Sequence, residues 1–137
     1  MISVTSVTDK YILQPTLLAK HKKTLEWLSV ALLWKRELTF FQKLLDMYAP
    51  RFSSVEDKMM IDRFQSIFIY YNGELIDTLA HRLRNHEKIL AEALQERDET
   101  KTTYFKEHDQ LMSELESVRE QFIQYKEEFF GFIERVL

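Results

Sequence analysis

Residues 104–136 read YFKEHDQLMSELESVREQFIQYKEEFFGFIERV. Within them Tyr104, His108, Leu111, Leu115, Val118, Phe122, Tyr125, Phe129, Phe132 and Val136 alternate steps of four and three without a break. That alternation holds side chains on one face of an α-helix. Sustained over ten positions it is a heptad seam, which must be buried against neighbouring helices. The stretch predicts a long helix beginning at Tyr104, and the rest of the chain has to supply its partners.

The segment after Pro15 carries the same pattern. Trp27, Ala31, Trp34, Leu38, Phe41, Leu45 and Tyr48 form a second seam. Leu18, His21, Leu25, Leu28 and Leu32 widen the apolar face in its first half, as expected of a helix touching two neighbours. Proline suits a first helical turn, so this helix starts at Pro15 or Thr16. Pro50 keeps Ala49 out of the helical region and ends it near Tyr48.

A middle helix is expected to start at Ser53 or Ser54, where Ser53 with Glu56 and Ser54 with Asp57 fit a capping pattern. Its seam runs through Phe64, Phe68, Tyr71, Leu75, Leu79, Leu83, His86, Leu90 and Ala93. The steps from Tyr71 to Leu83 are all fours, which breaks the heptad at Asn72-Gly73. No polar gap surrounds that dipeptide. It predicts a kink or close packing inside one helix, with a true turn, and hence four helices, as the alternative. Residues 95–103 contain no large apolar side chain and are assigned to the second chain reversal, with one helix running from Ser54 to the C-terminus, covered by a partner chain, as the alternative.

These elements predict an all-α fold, an antiparallel up-down-up bundle of three long, coiled-coil-like helices. Residues 1–14, with Ile2, Val4, Tyr11, Ile12 and Leu13, form a short N-terminal arm, and 15–137 form one helical domain.

Composition excludes a good deal. Two Gly and two Pro in 137 residues are too few for a turn-rich β fold or a glycine-rich phosphate loop. Cysteine is absent, which removes disulfides, thiolate metal sites and a cysteine nucleophile. The N-terminus lacks the basic and apolar regions of a signal peptide, and the stretch Leu25–Leu38 is too charged to span a bilayer. A cytoplasmic protein is expected, with no membrane partner. The net charge of −3 conceals an asymmetry: residues 1–70 hold ten Lys/Arg against seven Asp/Glu, and residues 71–137 nine against fifteen. Charge pairing between an early basic and later acidic segments explains this better than nucleic-acid binding. Lys20, Lys22, Lys23, Lys35 and Arg36 do not form one helical stripe.

Folded antiparallel, the bundle would have two chemically distinct ends. One collects Trp34, Phe41, Tyr48, Phe64, Phe68, Tyr71, Phe122, Tyr125 and Phe129, with Phe40, Phe52, Tyr70 and Phe130 off the seams. These rings predict an aromatic core, or, with Met59 and Met60, an exposed apolar patch for a partner. The other end collects His21, His81, His86 and His108, with His86 opposite His108 and with Glu26, Asp77, Glu87, Glu107 and Asp109 nearby. Bundles build metal sites from inward His and carboxylates. The spacings of di-iron and oxygen-carrying helical proteins are absent, however, and His81 and His86 do not share a face. A polar layer that fixes helix register is the stronger expectation for these histidines.

No nucleophile elbow is present, and the adjacent carboxylates point apart. The expectation is a non-enzymatic helical bundle without cofactor or small-molecule substrate. It would act through a protein partner or by self-association, including a homodimer, with Trp27, Trp34, Phe40 and Phe130 as anchors on the aromatic end or on the wide face of the first helix. The alternative is a metal-binding or pH-sensing bundle using His21, His81, His86 and His108.

Overall fold

The computed structural model describes residues 15–95 and 102–137, so the N-terminal arm and the tip of the second reversal lie outside the described residues. Helix α1 spans Pro15–Tyr48, α2 Val55–Tyr70, α3 Ile76–Gln95 and α4 Thr102–Glu134. A π-helical turn, Tyr71–Leu75, joins α2 to α3 without interrupting the helix. No strand occurs among the described residues. The fold is an all-α, antiparallel, up-down-up bundle of three long helices, the middle one being α2, the π-turn and α3 together.

The first reversal follows the sequence closely. Past Tyr48 a 3₁₀ turn, Ala49–Arg51, carries Pro50. Ser54 then caps α2, its Oγ accepting from the Asp57 N–H at 3.1 Å. Such a cap satisfies a donor that has no partner within its own helix. The Asp57 carboxylate takes two hydrogen bonds from Arg135, at 2.8 and 2.9 Å, fastening the start of α2 to the end of α4. The guanidinium holds the Asp57 carboxyl below its ordinary range.

At Asn72-Gly73 the chain stays helical through a π-turn, one helix as expected and not a true turn. The buried positions run Phe64, Phe68, Tyr71, Ile76, Leu79, Leu83, His86, Leu90 and Ala93. Ile76 is fully buried, whereas Leu75, placed on the seam by sequence, is only partly so. The seam therefore takes one step of five, the repeat of a π-helix, and resumes its threes and fours. One extra residue, absorbed by a local widening, is what the sequence shows as a run of fours. Close packing plays no part at Gly73, where an added Cβ would meet nothing within 4 Å.

The described chain divides into two compact units. The first takes α1 to Ala31, the middle helix from Leu79 and α4 to Glu116. Its core comprises Leu17, Trp27, Leu28, Ala31, Leu79, Leu83, Leu90, Leu94, Tyr104, Leu111 and Leu115. Here His86 Nε2 lies 3.0 Å from His108 Nδ1. On one straight helix, residues 22 apart would be separated by about 33 Å, so this contact shows that α4 folds back on α3. The second unit takes α1 from Leu32, the middle helix to Thr78 and α4 from Ser117. Its core is aromatic: Trp34, Phe41, Phe64, Phe68, Tyr71, Phe122, Phe129 and Phe132, with Leu38, Leu45 and Ile76. Phe41 and Phe68 each meet Phe129, with ring centroids 5.4 and 4.9 Å apart. Phe52, off the seams in sequence, is buried flat on Phe132 at 4.2 Å.

Charge pairing between early and later segments is present in both units. Lys20 meets Asp109 at 3.7 Å, Lys35 meets Asp77 at 2.5 Å, and Arg63 meets Glu128 at 2.6 Å.

Candidate functional site

Two groupings stand out, one in each unit. In the first unit a polar layer interrupts the apolar core. His21, Thr24, His86 and Glu87 have no exposed surface, and His108 is 5% exposed. Thr24 is satisfied locally, its Oγ1 donating to the Lys20 carbonyl at 2.9 Å. His86 and His108 face each other from α3 and α4. Two tautomeric arrangements fit their 3.0 Å contact. When His108 Nδ1–H donates to His86 Nε2, the second nitrogen of His86 carries its proton toward the Glu107 carboxylate, 3.8 Å away. The reverse arrangement aims a lone pair at that carboxylate, so electrostatics favours the first.

Tyr104 covers the pair, its ring stacked on His86 at 4.3 Å and 3°. Burial pushes both imidazoles down to about 4; for His86 the neighbouring His108 and Lys20 add to it, and for His108 Lys20 does. Burial pushes the Tyr104 phenol up, with Glu87 and Glu107 reinforcing it. On the other side of the layer, His21 Nδ1 approaches Glu87 Oε2 to 2.5 Å between α1 and α3. The contact misses hydrogen-bond angles, so neither side chain is hydrogen-bonded by it. The layer thus ties all three helices of the unit at fixed register.

His81 does not belong to it. It sits on the exposed face of α3, because five residues from His86 is neither three nor four. The four histidines therefore do not converge, and among the described residues no group of three or more His, Asp or Glu is arranged to hold a metal ion. Of the acids expected nearby, Glu87 and Glu107 join the layer. Asp109 pairs with Lys20, Glu26 with Lys23 at 3.5 Å, and Asp77 with Lys35.

The second grouping lies on the surface of the second unit. The sequence offered Trp27, Trp34, Phe40 and Phe130 as anchors, and the structure separates them. Trp27 and Trp34 are 3% and 5% exposed, packed inside their own units because both occupy seam positions. They are core, not contact surface. Phe40 and Phe130 are 58% and 43% exposed.

Neither of these two rings is isolated. On α1, Leu33, Phe40 and Met47 stand seven residues apart, all exposed, with the partly buried Leu44 among them. On α4, Ile123 and Phe130 do the same, and exposed Leu137 follows seven residues later, past the last helical turn. Ion pairs fix which way the two rows face. Glu37, in the α1 row, receives Lys126 of the α4 row at 3.1 Å. On the opposite flanks Lys35 reaches Asp77, while Gln121 and Glu128 reach Tyr71 and Arg63. Both rows therefore border the groove between α1 and α4.

Phe41 floors that groove, in contact with Phe40, Phe129 and Phe130. Contacts Trp34–Phe122, Glu37–Lys126 and Phe41–Phe129 advance together along the two helices, so the rows run in the same direction at matched height. Leu33 is level with Ile123, and Phe40 with Phe130. The signal for this face was in the sequence, as second seven-residue repeats beside the main seams. The second stripe read on the first helix runs from Leu18 to Leu32, and Leu33, Met47 and Ile123 stay unassigned.

The chain matches no protein-family model, no curated protein and no solved structure. Among the described residues no helix is long and apolar enough to cross a membrane.

Proposed function

We propose that this chain is a non-enzymatic helical-bundle module that acts by protein–protein interaction, through the α1–α4 face of its second unit. The observation that carries the reading is the pair of level apolar rows flanking a groove floored by Phe41. Exposed apolar residues scattered singly need no explanation, but contiguous ones at heptad spacing on two adjacent helices form a surface that other helices pack against. The exposed apolar residues of α2 make no comparable row: Asp62 and Ser66 interrupt Val55, Met59 and Ile69.

Photo-cross-linking in the native source tests this. With Phe40→benzoylphenylalanine, irradiation is expected to join the chain to a second polypeptide, of whatever identity. The same replacement at exposed Gln65 is expected not to. Equal cross-linking at the two positions, or none at Phe40, would refute the reading.

A further inference from the structure

We infer that the occupant of the α1–α4 face is the same face of a second copy of this chain, related by a two-fold axis parallel to the helices. The inference rests on the reading of that face as an interaction surface and names its partner.

The argument is charge. The edge of α1 beyond the Leu33–Phe40–Met47 row carries Arg36 and Lys43, seven residues apart and exposed. The edge of α4 beyond the Ile123–Phe130 row carries Glu120, Glu127 and Glu134, also seven apart and exposed. Among the described residues, Arg36, Lys43, Glu127 and Glu134 have no ion-pair partner. The face is thus an apolar strip with one basic and one acidic border.

A closed homodimer requires a surface complementary to itself. Two in-plane axes would bring this face onto its own copy. An axis across the helices lays α1 on the partner's α1, setting basic border on basic border and acidic on acidic. An axis along the helices lays α1 on the partner's α4. Because the rows are level, Arg36 then stands opposite Glu127 of the partner, and Lys43 opposite Glu134 of the partner, twice over. Phe40 meets Phe130 across the interface. The central apolar rungs are ringed by four opposite-charge pairs, an arrangement that supports register and on-rate.

The area is sufficient. The six apolar side chains offer roughly 600 Å² per copy, or roughly 1,200 Å² in total, the lower bound of stable specific interfaces. An unrelated single helix would need acid along one side and base along the other in this same order; a second copy supplies both by symmetry.

Sedimentation equilibrium of the full chain tests the inference. A monomer–dimer equilibrium is expected, weakened at least 100-fold by Phe40→Glu with helicity and melting of the monomer retained. Arg36→Glu/Lys43→Glu and Glu127→Lys/Glu134→Lys proteins should each be monomeric and should dimerise when mixed. As the chain has no cysteine, orientation can be read directly. Lys43→Cys protein mixed with Glu134→Cys protein should oxidise to the mixed disulfide in preference to either homodimer.

A wild-type chain monomeric at every concentration, or a dimer indifferent to Phe40→Glu, would overturn the inference. So would a preference for the disulfide between two Lys43→Cys copies. A monomer whose position 40 still cross-links a different polypeptide would overturn the second copy while leaving the interaction surface standing; a monomer without that cross-link removes both.

Discussion

Lowering the pH from 7 to 5 should unfold this protein more readily, and the His86–His108 pair should carry most of the effect. Both imidazoles are neutral in the fold because burial holds them at about 4, against an ordinary 6.5. The unfolded chain takes up these protons as the pH falls through 6.5, and the folded chain does so only near 4. Between those values the unfolded state binds more protons, so stability falls as pH falls. Above pH 7 both states are neutral and the term vanishes. At pH 5 each imidazole costs about 2 kcal/mol, and the pair about 4 kcal/mol, a large share of the stability of a small domain.

The other groups facing the pair are Glu107, Lys20, Asp109 and Tyr104, with the His21–Glu87 contact across the layer. The Tyr104 phenol, pushed up by burial, stays neutral throughout this interval. Urea unfolding at pH 7, 6 and 5 measures the effect, with the His86→Leu/His108→Leu protein alongside. Wild type should lose about 4 kcal/mol over this range and the double variant only a minor part of that. Equal losses in the two proteins would refute the claim that these histidines are buried neutral.

The His21–Glu87 contact makes a second prediction. His21→Leu removes the polar neighbour of the buried Glu87 and should cost about 1–3 kcal/mol, whereas His21→Leu/Glu87→Leu should recover most of that loss; a double variant as unstable as the single would show that packing, not polarity, governs the site. At the π-turn, Gly73 has open space around it and no need of a left-handed backbone, so Gly73→Ala should raise stability by about 0.5–1 kcal/mol. A lower melting temperature for that variant would contradict the helical continuity from Val55 to Gln95. Trp34→Ala should cost about 3–5 kcal/mol and Phe40→Ala less than about 1 kcal/mol in dilute solution; comparable urea midpoints for the two would mean that core and surface have been misassigned.

How much of this could be read from the residues is clearest helix by helix. Local patterning decided what local forces decide: the heptads of 104–136 and 27–48, the Pro50 stop, the Ser54 cap and the absence of strands among the described residues. Each depends on neighbours within a turn or two of the chain, so a string of letters contains it. The pairing of His86 with His108 was legible as well, because antiparallel seams count toward each other from a reversal whose position was known within a few residues.

The sequence could not decide which of two adjacent positions a seam would use once its period slipped. Ile76 rather than Leu75 is buried because a π-turn absorbs the extra residue, and that choice is made by what packs opposite, not by the turn itself. Nor could it tell Phe52 from Phe130, both off the seams, for hydrophobicity says that a side chain prefers burial and not whether a neighbour is there to bury it: Phe52 is buried on Phe132 and Phe130 is exposed. The direction in which Glu37 and Lys126 reach, and with it the existence of one shared α1–α4 face, required two helices far apart in sequence to be set side by side.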